Sequence, residues 1–318
     1  MLRRLFPRDL FTSDKGAVAV AGPDLAGWLG RLRLAEPQHA HGLEVWPLLL
    51  EGDAGEPFVL LHQALAAGTF DVLEQGRGVV NELTARNRGS RPVLLLEGEA
   101  IVGAKQNRTL VASVLVGAGQ TVSVPVGCVQ RGRWTPSWGK FEAAPSHVEP
   151  TLRRATVKEA STTGHVDQAR LWQDVARALE ASRTVSASQD YYEGVASRLD
   201  EAAGKAEAFQ SLPGQVGVIA LVNGALLGLE IIGHPDSWAA LGGRLMPSYL
   251  MAAARASEAS APTRRAGTHP WLERVAGARV TAAAGRGLGE QLALEGPGFA
   301  GAGLWHEGRA AHLVVFAD

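Results

Sequence analysis

The chain has 318 residues, 46% of them hydrophobic and 20% charged, and this composition excludes a globally disordered protein. The net charge of −1 gives no general attraction to nucleic acid, and the single cysteine excludes both a disulfide framework and a cysteine-based zinc site. Because no apolar run reaches the roughly 18–20 residues that a membrane helix needs, we expect a cytoplasmic protein that does not bind membranes.

Residues 1–40 are expected to form an N-terminal arm followed by a short helix. Arg3 and Arg4 resemble the start of a signal peptide, but Pro7, Arg8 and Asp9 interrupt the apolar core that such a signal requires. We therefore expect the arm to be retained and to pack against the body of the protein. Gly, Pro and Asp around residues 25–34 predict that the short helix lies there.

Residues 41–135 are predicted to form a β-rich subdomain. Apolar runs separated by turn residues predict strands at Leu43–Leu50, Thr69–Glu74, Val79–Asn87, Pro92–Glu97, Thr109–Val116 and Thr121–Val126. Pro47 inside the first run favours an edge or bent strand, and Val59–Ala67 is typical of a short helix. The regular spacing favours a sandwich or jelly-roll-like half. No phosphate-binding glycine loop follows a strand, so no cofactor is predicted.

Residues 136–165 show no clean period and are predicted to be a connecting segment, followed by an α+β subdomain over 166–318. Periodicity predicts helices at Asp167–Ser182, Asp190–Phe209, Trp238–Ser257 and Leu272–Ala283, and strands at Gln215–Val222, Ala225–Ile232, Leu288–Leu294, Phe299–His306 and Ala311–Phe316. Asn223-Gly224 is a strong hairpin signal. The predicted fold class is α+β, in which the β-rich N-terminal half is joined to a C-terminal helical and antiparallel-sheet half.

The densest polar segment lies at residues 96–108. Glu97 and Glu99 are two positions apart, so on a strand both carboxylates project from one face, and either could act as a general acid or base. Four side chains rich in hydrogen-bond donors follow Gly103, namely Lys105, Gln106, Asn107 and Arg108. Such a turn can bind an anion through its cations while its amides orient the ligand. An exposed hairpin turn with solvated charges explains the same residues equally well.

A second cluster contains Cys128, Arg131, Arg133 and Trp134. The arginines could favour the thiolate form of Cys128 and make it a reactive thiol. The residues after Cys128 do not match an anion-wrapping loop, however, and a buried small hydrophobic residue is the favoured interpretation. Both arginines are also candidate anion ligands. Trp134 either stacks on a ligand or holds the connecting segment against the body.

These motifs together resemble one domain family. Lys105–Arg108 and the later Gly132-Arg-Trp134 carry the resemblance, which extends through Trp172, Ser182-Arg-Thr184 and the Asn223-Gly224 hairpin and covers about residues 40–255. The family is named for its association with ADP-ribosylglycohydrolases and with rhodanese/phosphatase proteins. One departure is Gln130, where the family pattern has Glu. The resemblance implies a link to ADP-ribose or NAD metabolism without an established reaction.

No metal site is predicted. The cadence of the β-rich half also resembles a cupin jelly roll, but cupin metal chemistry needs closely spaced histidines, and none lies between His62 and His147. His39 and His41 could share a strand face and bind a metal, yet the sequence offers no obvious third ligand.

Three hypotheses about function remain open. In the first, Lys105–Arg108 and Arg131 or Arg133 bind a phosphorylated, nucleotide-like small molecule, which Glu97 or Glu99 would process if there is turnover. In the second, the chain is a non-catalytic binding or scaffold domain that acts on a protein partner through the same polar turn. In the third, the turn joins the two halves of the protein by hydrogen bonds. The sequence favours the first hypothesis.

Overall fold

The computed structural model of the protein describes residues 23–74, 81–132, 140–163, 166–259 and 270–318. Within these ranges the helices are α1 (Leu25–Leu29), α2 (Leu61–Ala66), α3 (Pro150–Thr163), α4 (Gln168–Ala181), α5 (Tyr191–Ala206), α6 (Pro235–Ala259) and α7 (Trp271–Ala276). The strands of the N-terminal half are β1 (Leu32–Leu34), β2 (Gln38–Ala40), β3 (Leu43–Leu50), β4 (Val59–Leu60), β5 (Phe70–Glu74), β6 (Glu82–Asn87), β7 (Val93–Leu95), β8 (Ala100–Gly103), β9 (Arg108–Leu110), β10 (Val114–Val116), β11 (Thr121–Cys128) and β12 (Phe141–Ala143). Those of the C-terminal half are β13 (Gln215–Val222), β14 (Ala225–Ile232), β15 (Arg279–Ala284), β16 (Glu290–Gly296), β17 (Phe299–His306) and β18 (Arg309–Ala317). The α+β fold class is confirmed, while most of the expected N-terminal arm lies outside the described residues.

The largest sheet has nine antiparallel strands in the order β1-β3-β13-β14-β18-β17-β16-β15, with β2 paired to β3. Strand β3 comes from the N-terminal half and pairs with β13, so that Trp46 lies opposite Ile219. Sheet hydrogen bonds therefore cross the boundary expected near residue 135. The division of the chain into subdomains stays a prediction.

Pro47 lies in an inner strand, not in an edge strand, because β3 has neighbours on both sides. On one side β1 pairs with Leu48–Leu50 and β2 pairs with Leu43–Val45, which leaves Pro47 at the gap between two short strands. Its carbonyl accepts a hydrogen bond from the Ala35 amide at 3.0 Å on that side. A strand residue directs its N–H and C=O to the same side, so the N–H that proline lacks falls where the ladder is interrupted.

Three hairpin turns of the large sheet use the same dipeptide chemistry. His41-Gly42, Asn223-Gly224 and Glu307-Gly308 each have positive φ angles at both positions, between 49° and 77°. This is the type I′ geometry, which matches the twist of the flanking strands and which glycine adopts without strain at the second position. The hairpin predicted at Asn223-Gly224 is thereby confirmed.

The helices follow the predicted periodicity in part. Helices α4 and α5 begin where expected, after the N-cap residues Asp167 and Asp190. Helix α3 was not predicted, since the segment 136–165 was expected to connect without regular structure. The predicted helix at Leu272–Ala283 is wrong beyond Ala276: Gly277 ends α7, and Arg279–Ala284 pairs as an edge strand with β16. Among the described helices, none is both long and apolar enough to cross a membrane.

Two smaller sheets contain the remaining strands, in the orders β12-β8-β9-β11-β6-β5 and β10-β7-β4. Both contribute side chains to one apolar core, which includes the fully buried Leu83, Leu95, Val116 and Val124. Burial of these side chains between the sheets produces the sandwich-like N-terminal half that the regular spacing of the short strands predicted.

The joint between the sheets and the helices contains a buried cation, Arg153 of α3, which is 1% exposed. Its Nε and one terminal nitrogen donate to Glu97 Oε2 at 3.0 and 2.8 Å. Its two terminal nitrogens also donate to the two carboxylate oxygens of Glu230 on β14, at 2.8 and 2.7 Å. A planar guanidinium can bind two carboxylates at once in this way, which a lysine cannot.

Further hydrogen bonds close this cluster into a ring. His312 on β18 contacts Glu230 through Nε2 at 2.9 Å and the Ser113 hydroxyl through Nδ1 at 2.7 Å. The Glu97 backbone amide in turn donates to the Ser113 hydroxyl at 2.9 Å. The cluster of Glu97, Ser113, Arg153, Glu230 and His312, which we call the Arg153 network, ties α3 to three separate parts of the sheet structure.

Replacing Arg153 with methionine should lower the free energy of unfolding by about 3–5 kcal/mol, because it leaves the buried Glu97 and Glu230 without their cation. Urea unfolding followed by circular dichroism measures the change. The neighbouring Arg154 is exposed on the same helix, so Arg154→Met is a matched control and should change stability by less than about 0.5 kcal/mol. Equal effects of the two substitutions would contradict the role assigned to the network.

Candidate functional site

The structure places Glu97 and Glu99 in the tight turn between β7 and β8. Gly98 between them has a φ angle of +78°, and a Cβ atom there would lie 2.3 Å from Nε of Arg153, so only glycine fits. The turn sends the two carboxylates to different partners. Glu97 binds Arg153, whereas Oε2 of Glu99 accepts a hydrogen bond from the Leu96 amide at 3.2 Å. The two residues therefore do not share a strand face.

Both carboxyl groups have perturbed acidity. Burial raises the pKa of Glu97 and of Glu99 to about 7. Although burial also opposes the ionisation of Glu230, Arg153 and the hydrogen bond from His312 hold the pKa of Glu230 well below its usual range. The two carboxyl groups that share the Arg153 guanidinium thus differ in protonation: Glu230 is ionised, whereas Glu97 can hold a proton near neutral pH. Such a pKa suits acid–base chemistry, but Glu97 and Glu99 are only 1% and 2% exposed.

The four-residue motif Lys105–Arg108 lies largely inside the protein. Gln106, Asn107 and Arg108 are buried, and Lys105 is half-buried. Arg108 donates to Gln106 Oε1 at 2.8 Å and to Cys128 Sγ at 2.6 Å, and it lies 3.9 Å from a Glu74 carboxylate oxygen. The contacts of Arg108 are therefore internal, and an anion from solvent does not reach it in this conformation.

Asn107 connects the motif to the second half of the chain. Its side-chain nitrogen donates to Asp190 Oδ2 at 2.5 Å, and its backbone amide donates to Gln130 Oε1 at 3.2 Å. The Gln130 side-chain nitrogen donates to the Ser188 hydroxyl at 3.1 Å, while Asp190 also caps helix α5. Asn107 and Gln130 therefore hold the loop between α4 and α5 in place. These contacts match the third hypothesis, in which the turn joins the two halves.

That loop forms one wall of a pocket of about 550 Å³. We call it the Arg131–Trp172 pocket, and its polar and aromatic lining comprises Arg131, Trp172, Glu180, Arg183, Thr184, Ser186 and Gln189. The Arg131 guanidinium lies over the Trp172 ring, 5.5 Å from its centre. Arg131 and Arg183 are exposed, and the buried Trp172 Nε1 makes no hydrogen bond to the residues that the structure describes. The pocket thus combines two cations and one carboxylate, Glu180, with an aromatic ring.

The backbone around this pocket carries unusual conformations. Six residues other than glycine have positive φ angles in the described ranges, and three of them are the first residues of the hairpin turns above. The others are Ala104, which precedes the Lys105–Arg108 motif, and Arg183 and Gln189, which line the pocket. Strained backbone of this kind is concentrated at functional sites in proteins.

Arg183 occupies the position just after the C-cap of α4, with a φ angle of +52°. The Thr184 amide donates to the Leu179 carbonyl at 3.0 Å, and the Arg183 amide donates to the Glu180 carbonyl at 2.8 Å. This is a Schellman motif, whose left-handed position is usually glycine. An arginine here costs about 1–2 kcal/mol of backbone strain that glycine would avoid.

Cys128 is fully buried, as favoured from the sequence. Burial raises the pKa of its thiol to about 11, against the opposing effect of Arg108. The thiol donates to Gln106 Oε1 at 2.9 Å, and the Cys128 backbone is held on both sides by the Gln168 side chain at 2.8 and 2.9 Å. Burial and the raised pKa favour a structural thiol over a reactive thiolate, because a neutral, inaccessible thiol is a poor nucleophile.

The remaining candidate residues are not brought together. Arg133 and Trp134 lie outside the described residues. In the described ranges no three His, Cys, Asp or Glu side chains are arranged to hold a metal ion, and Nδ1 of His39 lies 4.0 Å from a Glu44 carboxylate. Gln189 was missed as a site residue. From the sequence, Arg183 is either a cation that could reach a phosphate or the end of a helix, and only the fold of the α4–α5 loop places it in the same pocket as Arg131.

Comparison with known proteins identifies the family. Residues 31–316 match the ARG and Rhodanese-Phosphatase-superfamily-associated Protein domain, nearly the whole chain, so the protein belongs to this family. No curated protein and no solved structure shows a significant match. The family suggested by the sequence motifs is thereby confirmed.

The native protein should react very slowly with the thiol reagent DTNB at pH 8, because Cys128 is inaccessible and its pKa is raised to about 11. The same reagent should release one equivalent of chromophore once urea unfolds the chain, since the sequence contains one cysteine. Complete reaction of the native protein within minutes would show that the thiol is accessible.

The Glu99→Gln substitution should change the pH dependence of stability. The folded-state pKa of about 7 exceeds the ordinary value of 4.5, so the native state binds the extra proton and this carboxyl lowers stability as pH rises from about 4.5 to 7. The variant lacks that loss, so from pH 5 to pH 8 its stability relative to the wild type should rise by roughly 2 kcal/mol. Urea unfolding at several pH values tests this, and a difference that does not vary with pH would refute it.

Proposed function

We propose, from the family to which the chain belongs and from the lining of the Arg131–Trp172 pocket, that the protein binds a phosphorylated, nucleotide-like small molecule such as ADP-ribose. The family name refers to an association with ADP-ribosylglycohydrolases and with the rhodanese–phosphatase superfamily. The pocket has a volume of about 550 Å³, which is within the range of small-molecule sites.

Each part of such a ligand has a matching group in the pocket. Arg131 and Arg183 bind the phosphates, since a guanidinium offers paired donors that fit phosphate oxygens. The Trp172 ring supplies a flat apolar surface for the base or the sugar, and its Nε1 is a donor without a protein acceptor in the described ranges. Gln189 and Thr184 supply hydrogen bonds for ribose hydroxyls.

The observation that carries the proposal is the arginine at the left-handed position after α4. The helix end needs a left-handed residue, and glycine would meet that need at the lowest cost. Arg183 instead adds a second exposed cation beside Arg131, at the expense of backbone strain. A cation at this position complements the negative end of the α4 dipole, and it also leaves a guanidinium exposed in the pocket, where an anion can bind it.

In this proposal the Lys105–Arg108 motif acts indirectly. Asn107 and Gln130 hold Ser188 and Asp190, and this fixes the loop that carries Arg183 and Gln189. Glu97 and Glu99 belong to the buried Arg153 network and its adjoining turn, away from these groups. The proposal is accordingly one of binding, with no catalytic step assigned.

A protein partner is the alternative, and one residue favours it. Val185 in the same loop is 92% exposed, which is uncommon for a large apolar side chain on a pocket rim. A partner that covers Val185 would use the pocket as part of an interface. Co-purification of a single protein with the wild type that is lost in Val185→Ser, together with no response to ADP-ribose, would favour this alternative.

Isothermal titration with ADP-ribose tests the small-molecule proposal. Arg183→Gly should weaken binding by about 10- to 100-fold, because it removes one charge-assisted contact to phosphate. Its stability should stay within about 1 kcal/mol of the wild type, because relief of the left-handed strain offsets the added chain entropy of glycine. Arg131→Gln should weaken binding to a similar extent.

The matched control is Arg154→Gln, which removes an exposed arginine that does not line the pocket and should leave the affinity unchanged. Equal affinity for ADP-ribose in the wild type and in both pocket variants would contradict the proposal. The absence of binding to ADP-ribose, NAD and nucleotides by the folded wild type would contradict it as well.

A further inference from the structure

A second pocket, of about 540 Å³, lies between α2, β5, β12 and α6. Its walls are apolar over a large part, with Phe70 and Phe141 packed into the core beside it, and Leu73 is 46% exposed. Basic and imidazole side chains lie among these apolar residues, namely His62, Arg88, Lys140 and Arg244. We call it the His62–Arg244 pocket. Its lining shares no residue with the Arg131–Trp172 pocket.

Arg244 is held in place but retains donors for a ligand. One terminal nitrogen donates to the Ala144 carbonyl, and the Arg244 backbone carbonyl accepts from the His147 amide at 3.3 Å. Its Nε makes no hydrogen bond, and its guanidinium has no carboxylate within ion-pair distance, among the described residues. Four of the five N–H donors of a guanidinium therefore have no protein acceptor there.

His62 on α2 is the second such group. It is half-buried, and its Nδ1 has no partner in the part of the chain that the structure describes. Burial, with a smaller effect of Arg244, lowers the pKa of His62 to about 4. The ring is therefore neutral at physiological pH and offers one donor and one acceptor nitrogen. A buried polar side chain without a partner is costly unless a bound molecule completes its hydrogen bonds.

The other charged groups around the pocket leave an excess of positive charge. Arg88 forms a salt bridge with Asp71, in which its Nε lies 2.9 Å from Oδ2 and a terminal nitrogen lies 3.1 Å from Oδ1. Lys140 and Glu142 are both exposed near β12 and oppose each other in sign. Arg244 is then the cation that no lining carboxylate neutralises. Glu99, which interacts with Arg244 electrostatically, is buried and has its pKa raised to about 7.

We propose that the His62–Arg244 pocket is a second binding site, for a small organic acid with an apolar body. The carboxylate or phosphate of the ligand binds Arg244, with Lys140 at the rim, and the neutral imidazole of His62 makes a further hydrogen bond. The apolar body lies against Leu73 and the aromatic side chains. A mixed lining of this kind, apolar with a few fixed polar groups, is typical of sites that select a ligand by shape and by one charged group.

Phenyl phosphate, benzoate and inorganic phosphate are suitable probes, because they separate the charged group from the aromatic body. Each is titrated into the full chain while the imidazole ¹⁵N signals are followed by NMR, with the His62 signal assigned from its loss in His62→Phe. Phenyl phosphate or benzoate should shift the His62 signal in a saturable way. The probe with the lower dissociation constant shows whether the site prefers a phosphate or a carboxylate. Inorganic phosphate, which has no aromatic body, should bind at least 10-fold more weakly than phenyl phosphate.

Arg244→Gln should weaken binding by 10-fold or more, and the exposed Lys140→Gln, which carries little risk to the fold, by about 3-fold. Arg33→Gln, at an exposed position on β1, is the control and should have no effect. Arg183→Gly should also bind the probes normally, so failure of this proposal is distinguishable from failure of the ADP-ribose proposal. A His62 signal that no probe shifts, or equal affinities in the wild type and folded Arg244→Gln and Lys140→Gln, would overturn the inference.

Discussion

The shared guanidinium of Arg153 is the interaction on which the arrangement of the two halves depends. Moving a cation and two carboxylates out of water is costly, and the cost is met only when every partner is in place. Here α3 supplies the cation, the β7–β8 turn and β14 supply the carboxylates, and β18 supplies His312. Alternative packings of the same sheets would leave at least one of these charges buried and unpaired. The network therefore selects one arrangement of the helices on the sheets, more than it adds to the net free energy of folding.

A second set of hydrogen bonds also joins the two halves of the protein, in addition to the Arg153 network. Asn107 and Gln130 in the β-rich half hold Ser188 and Asp190 in the α4–α5 loop. The Arg108 guanidinium and the Cys128 thiol both donate to Gln106 Oε1. The polar residues that the sequence suggested as ligand contacts thus shape the wall of a pocket, and Arg131 and Arg183 are the exposed cations of that pocket. In the proposed function, the polar motif supports binding without touching the bound molecule.

The parts of the fold that were predictable have local causes. Asn223-Gly224 specifies its hairpin through backbone sterics, and Asp167 and Asp190 specify helix starts through their own hydrogen bonds. The errors have tertiary causes. Residues 279–284 form a strand because β16 offers them a free edge, and Pro47 lies in an inner strand because two short strands leave a gap beside it. Helix α3 lacked a clear apolar period because one of its inward positions is Arg153, whose burial depends on two distant glutamates.

The amino-acid sequence alone was enough to establish the fold class, the family and the Asn223-Gly224 hairpin, because each follows from composition, turn chemistry or a local motif; it favoured a buried Cys128 without deciding it. It could not reveal that Arg108 is buried while Arg131 and Arg183 are exposed in one pocket, nor that Glu97 shares its cation with Glu230. Whether a side chain is exposed, and which residue it pairs with, depends on which distant segments pack together. The sequence around a carboxylate or a guanidinium looks the same whether the group is buried or exposed. The candidate sites of this protein therefore depend on the tertiary structure. Arg131 and Arg183 line one pocket, and His62 and Arg244 line another, only once the sheets and helices are packed together.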